Sequence, residues 1–323
     1  MRNGAVRGGH AGSAAIVVAF AALLAGLAGP PPSAAAPSAL TPRRVVTMAP
    51  NLTEIVFALG AGHRLVAVSE YSDYPPEARH LPRLGGFVNP DVERILAQKP
   101  ELVIVRDYSR ALEEKMRAFG VPVLRVRDEG IEDILRAIRD IGAALGAGEK
   151  GRELAAEVEA AVDSYRRRPA PEHRPRVLLV AGRAPGTLQD LHAPGRGTFL
   201  DEMIRLAGGA NLFGDSEIAY PKVSKEEIIS RNPEVILEPV SALSYSGVRP
   251  DPADWRALGP LSAVRHGRIH ILEGDYLLIP GPRIPLALRD LERAIGGAEW
   301  PRRPAAGVPN PAGDAVRKPP ARP

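Results

Sequence analysis

One uninterrupted stretch, GEKGRELAAEVEAAVDSYRRR at 148–168, divides this chain and limits what it can fold into. After Gly151 it contains no Gly or Pro, and Leu154, Val158, Ala161, Val162 and Tyr165 fall on one stripe at helical spacing. A helix over 153–168 would be about 24 Å long at ~1.5 Å per residue. It breaks at PAPEHRP. On both sides of it, short apolar runs alternate with amphipathic segments. Before it, strands are predicted at 43–49, 64–69, 101–106 and 121–127, with helices at 51–62, 91–99, 110–120 and 130–146. The first helix reads as capped by Asn51, with Glu54 three residues on as in a capping box. After it come strands at 176–182 and 234–239, the apolar segment 264–274, and helices at 198–209, 224–232 and 282–297. Alternation of this kind implies βαβ units around a parallel sheet. The expected fold is therefore α/β: two Rossmann-like lobes, residues 43–146 and 175–298, joined by a single long helix at 148–168.

The ends read differently. Residues 1–39 begin with Arg2 and Arg7 and no acidic residue, continue through an apolar run over 14–28, and close in small residues and prolines. That is the layout of a secretory signal peptide, cleaved between Ala28 and Ala39. The apolar run is short for a membrane span of ~20 residues. With no Cys anywhere, lipid anchoring, disulfides, thiolate metal sites and thiol nucleophiles are excluded. The mature protein is expected to be soluble and outside the cytoplasm. Residues 299–323 are rich in Pro, Ala and Arg and are expected to be disordered. The formal charge of +4 belongs to these ends, since residues 41–298 carry −1. That argues against a nucleic-acid surface, which needs a clustered basic face.

The two halves share a phrase: ERILAQKPELVIV at 93–105 and EEIISRNPEVILE at 226–238. Each has a residue able to N-cap two positions before its first Glu, Asp91 and Ser224, and Ser224 with Glu227 forms a capping box. Cap, helix, Pro stop and buried strand are fold grammar. The match also sets Glu93 and Glu226 at the same place on each lobe, a symmetric acidic pair suited to docking arginines on a partner.

These residues carry a resemblance. MAPNLTEIVFALGAG at 48–62, SEYSDYPPEA at 69–78, NPDVERILAQKPELVIV at 89–105, the long helix, and GTFLDEMIRLAGGANLFGD at 197–215 resemble the periplasmic substrate-binding proteins of ABC importers whose lobes are joined by one helix, the class III type. The resemblance spans about residues 43–297, and YSDYPPEA followed by GGFVNPDVERI is similar to the cobalamin-binding branch. It implies capture of a corrinoid (cobalamin, vitamin B12) in the cleft between lobes. It further implies delivery to an ABC permease dimer in the inner membrane by a monomeric periplasmic protein that is not an enzyme and holds no catalytic cofactor or metal. Carried over residue by residue, the resemblance places Ala49, Pro50, Asn51, Tyr71, Phe87, Tyr220, Asp275 and Tyr276 against the ligand, and Glu93 and Glu226 against the permease. One member of the branch has Trp where this chain has Phe87, Tyr220, Tyr276 and Arg106, and an arginine in place of Ile279. A corrin is a flat apolar plate edged with amides; Tyr and Phe can cover its faces, and a Tyr hydroxyl can meet its rim.

The alternative ligands are haem, with Tyr71 or Tyr220 on iron, and an anionic iron-siderophore held by Arg106, Arg183 and Arg283. For an enzyme, the sequence has no nucleophile elbow, no P-loop and no His-Glu-x-x-His. Its histidines, among them His63, His80, His173, His192, His266 and His270, are scattered without metal-ligand spacing.

Overall fold

A computed structural model describes residues 41–86, 90–184, 186–240 and 249–297. The predicted signal peptide, the Pro-rich tail and Phe87 lie outside the described residues. Within them, two four-stranded sheets form, each parallel throughout. The first holds β1 (Val45–Thr47), β2 (Leu65–Val68), β3 (Leu102–Arg106) and β4 (Val123–Val126) in the order β2-β1-β3-β4. The second holds β5 (Arg176–Leu179), β6 (Ala210–Asn211), β7 (Val235–Val240) and β8 (Ile269–Glu273) in the order β6-β5-β7-β8. The strands are short because each needs only to cross a core, and several are apolar end to end because both faces are covered.

Alternation along the strands shows what covers each face. Val45, Leu102 and Ile104 join Val177, Leu179, Val235 and Leu237 in one central core. Their strand neighbours Val46, Val103 and Val105 point the other way into an outer core with Met116, while Leu178 and Ile236 enter a second outer core with the fully buried Trp255. The order is thus outer core, sheet, shared core, sheet, outer core. The shared layer is filled by α1 (Pro50–Ala58), α4 (Ile131–Ala144), α5 (Gly148–Arg166), α6 (Phe199–Leu206) and α9 (Ile284–Ile295). On the outer faces lie α2 (Val92–Ala97), α3 (Arg110–Ala118), α7 (Lys225–Arg231) and α8 (Ser262–Arg265). No helix among the described residues is long and apolar enough to cross a membrane.

Helix α5 follows α4 and precedes β5, so it lies on the path from the first sheet to the second. It buries Ala155, Val158 and Val162. Its packing on α4 depends on a glycine pair: a Cβ on Gly142 would stand 2.9 Å from the Gly151 Cα. Arg139 on α4 pairs with Glu159 at 3.1 Å, and Tyr165 donates to Glu292 on α9 at 3.2 Å. One helix therefore touches both halves. The halves also meet directly, through Phe199 N–H to the Glu129 carbonyl at 2.6 Å and Ile131 N–H to Glu202 Oε1 at 3.2 Å.

Local start signals hold where their partners are local. Asp91 caps α2 by accepting from Arg94 N–H, and Ser224 with Glu227 forms the capping box of α7. The expected cap at Asn51 does not form. Pro50 takes the first helical position, Ala49 is the N-cap, and Asn51 is buried within the first turn with its amide turned to Asp128. Glu54 likewise caps nothing; its carboxylate is drawn to Arg283 of the other half.

Candidate functional site

In each sheet the order reverses between neighbours, at β1/β3 and at β5/β7. Open α/β sheets bind ligands outside the carboxyl ends of their strands at such switch points. The residues leaving these ends converge on one pocket. Ala49, Pro50 and Asn51 follow β1, Ser69 and Tyr71 follow β2, and Arg106 ends β3; Leu278, Ile279 and Pro280 close the pocket from beyond β8. Its enclosed volume is about 70 Å³. It is a small pocket lined from both lobes.

Of the residues expected at the ligand, Pro50, Asn51 and Tyr71 line this pocket. Tyr220 is 40% exposed on the second lobe, and its electrostatic neighbours are Arg106, Tyr108, Asp128 and Glu129 of the first. It therefore stands across the cleft from them, and the surrounding protein holds its phenol above the usual value by desolvation. Asp275 is engaged by Arg283 Nη1 at 2.8 Å. Tyr276 is not among the residues that line this pocket. Its ring packs against the shared core, and its hydroxyl donates to Asp290 Oδ2 at 2.5 Å. A Cβ at Gly274, whose φ is +143°, would lie 2.2 Å from that ring, so the glycine permits this packing. Glu93 and Glu226 are exposed on α2 and α7, each at the second position of its helix.

Three charged clusters form around arginines, of which Arg106 lines the pocket, and the sequence reveals only their arginines. Arg106 places its Nε between the oxygens of Asp128, at 2.6 and 2.8 Å, and Asp128 also accepts from Asn51 Nδ2 at 2.8 Å. Burial raises the Asp128 carboxyl above its ordinary value, opposed by Arg106. Arg183, following β5, bonds Glu238 of β7 and Asp254 at 2.8 Å, and Trp255 Nε1 donates to the other Glu238 oxygen at 3.2 Å. Arg183 and Glu238 are only 6% and 3% exposed. Arg283, just before α9, reaches the first lobe. Its Nε donates to Glu54 Oε2 at 2.8 Å, its Nη2 bonds the other Glu54 oxygen, and its guanidinium lies 3.9 Å from the centre of the Tyr74 ring. Desolvation, partly offset by Arg283, pushes Glu54 up to about 7. Every one of the three arginines is thus met by carboxylates of the chain itself.

The chain has clear relatives. The periplasmic binding protein family model matches residues 45–276. The vitamin B12-binding protein of Vibrio cholerae serotype O1 is 32% identical over 244 residues, 74% of this chain and 84% of its own. The vitamin B12-binding protein of Yersinia pestis is 32% identical over 263 residues, 80% of this chain and 88% of its own. Among solved structures, the periplasmic heme-binding protein RhuT from Roseiflexus sp. RS-1, in apo form, superposes with a TM-score of 0.68 at 32% identity, covering 78% of this chain and 97% of that one. The periplasmic vitamin B12 binding protein BtuF of Vibrio cholerae gives 0.65 at 28%, covering 79% and 97%. With its family match over 45–276 and its two parallel-sheet lobes of the class III type, the protein belongs to the periplasmic binding protein family, whose members bind solutes.

Proposed function

We propose that the protein captures a corrinoid between its lobes and delivers it to the permease of an ABC importer. The observation that carries this reading is that three arginines able to hold an anion are already paired. Arg106, Arg183 and Arg283 are matched by Asp128, Glu238, Asp254, Glu54 and Asp275. Three cations stand against five carboxyl groups, and with Glu54 near half-protonation at pH 7 the set still has no net positive charge. These pairs leave little uncompensated positive charge to attract a dipropionate haem or an anionic siderophore. A ligand held mainly through amides does not need such charge. Its carbonyls and amide N–H groups can meet polar groups of the pairs while Tyr71 and Tyr220 cover apolar surface. The names of the curated relatives point the same way.

In this reading residues 1–39 direct export to the periplasm, and the mature protein acts there as a monomer of two lobes, 43–146 and 175–298, bridged by the 148–168 helix, with the tail 299–323 outside them. Glu93 and Glu226 face the permease dimer, where negative charge at a helix start is already favoured. Haem is the second reading, supported by heme-binding structural neighbours and by Tyr220, whose hydroxyl is of the type that can serve as an axial ligand. Titration with cyanocobalamin, dicyanocobinamide and haemin, followed by heat and absorbance, separates the two. Tight corrinoid binding is expected; a Soret shift with haemin and no corrinoid binding would replace it with haem.

A further inference from the structure

The ligand reading uses Arg106 only in its charge balance and assigns it no contact. Arg106 ends β3 at the switch point of the first sheet and lines the pocket. Its position is fixed from behind. Nε is held by Asp128, which is 4% exposed and is itself anchored by Asn51. The Tyr108 ring lies 4.7 Å from the guanidinium carbon. A guanidinium carries five N–H donors in a rigid fork. These contacts occupy part of the fork, and the side chain, which lines the pocket, remains 25% exposed. Such a group is pre-oriented to donate to oxygen, and because Asp128 offsets its charge, it does not demand a strong anion.

We propose that Arg106 is a specificity-determining residue that donates to an acceptor oxygen on the ligand's periphery. This rests on the corrinoid reading. On a corrinoid that oxygen belongs either to a side-chain amide or to the nucleotide-loop phosphodiester, which cobinamide lacks. The same chemistry serves both sources, and the ligand pair distinguishes them.

The test measures calorimetric affinities of the purified protein for cyanocobalamin and dicyanocobinamide, in the wild type, Arg106→Met and Arg106→Met/Asp128→Asn. The double variant removes the carboxylate that the single one would strand in the interior, so folding is preserved if the single variant fails. Loss of a charge-assisted hydrogen bond predicts binding about 10- to 100-fold weaker. An equal loss for both ligands assigns an amide oxygen; a loss confined to cyanocobalamin assigns the phosphodiester. Either supports the proposal if the folded double variant retains the wild-type thermal midpoint within a few degrees. Unchanged affinity for both ligands in that variant overturns it. If wild-type protein binds neither ligand, the corrinoid reading itself falls, a result distinct from the variants matching the wild type.

Discussion

Replacing Glu54 with Gln should change how stability depends on pH, by an amount that the structure sets. Glu54 is 3% exposed, on α1, with both carboxylate oxygens bonded to Arg283 of the other lobe. Desolvation outweighs the guanidinium and lifts its pKa from 4.5 to about 7, with the nearby Asp275 adding to the rise. Between those values the folded protein keeps a proton that the unfolded chain has released. The stabilisation from this proton is therefore complete below about pH 4.5 and is lost as pH rises through about 7. A displacement of roughly 2.5 units at ~1.36 kcal/mol per unit makes the full loss about 3 kcal/mol. Gln keeps the shape but cannot titrate. Urea unfolding of wild type and Glu54→Gln at pH 5, 6, 7 and 8 isolates this group, because Asp128 and the other shifted carboxyls are common to both proteins. The stability of the variant minus that of the wild type should climb by about 2–3 kcal/mol from pH 5 to 8. A flat difference would mean that Arg283 balances burial. A difference that falls with pH would mean that the ion pair dominates and that the desolvation argument is wrong.

Three other outcomes are expected. Glu93→Ala combined with Glu226→Ala should leave calorimetric ligand affinity within about twofold and impair uptake by the reconstituted importer; parallel losses in both would place the glutamates in the ligand site. Tyr71→Ala should weaken corrinoid binding by about 1–3 kcal/mol through lost aromatic contact, measured by titration, with an unchanged thermal midpoint as the control. Gly142→Ala should destabilise the protein by about 1–3 kcal/mol in urea unfolding, since its methyl would meet the α5 backbone at Gly151 and neither chain can rotate away.

The sequence is legible where structure is decided locally or by burial alone. Strand β3 is covered on both faces, so Leu102, Val103, Ile104 and Val105 stand as an unbroken apolar run that needs no partner to be recognised. Asp91 and Ser224 are readable as caps because their partners lie three residues away. Asn51 misleads because an asparagine beside a helix start looks the same whether it caps or reaches outward. Its true partner, Asp128, is 77 residues off. Glu54 is hidden in the same way, with Arg283 separated from it by 229 residues. Tyr276 carries the right residue type for a ligand wall, but Asp290 on α9 claims its hydroxyl. Strand β6, only two residues long, has no run to detect.

The arginines show why the long-range part matters for function. As residue types, Arg106, Arg183 and Arg283 suggest an anion site, and the carboxylates that pair with them are not their immediate sequence neighbours. Their carboxylates come from other strands and loops: Asp128 follows β4, Glu238 lies in β7, and Glu54 belongs to the opposite lobe. Folding converts three apparent anion binders into three clusters whose positive charge is offset by carboxylates. The clusters also differ in what they can do. Arg183 is sealed and braces β5 against β7, Arg283 ties one lobe to the other, and Arg106 alone of the three lines the pocket. On the proposed reading, a ligand in the pocket meets Arg106 and leaves the Arg183 and Arg283 pairs intact.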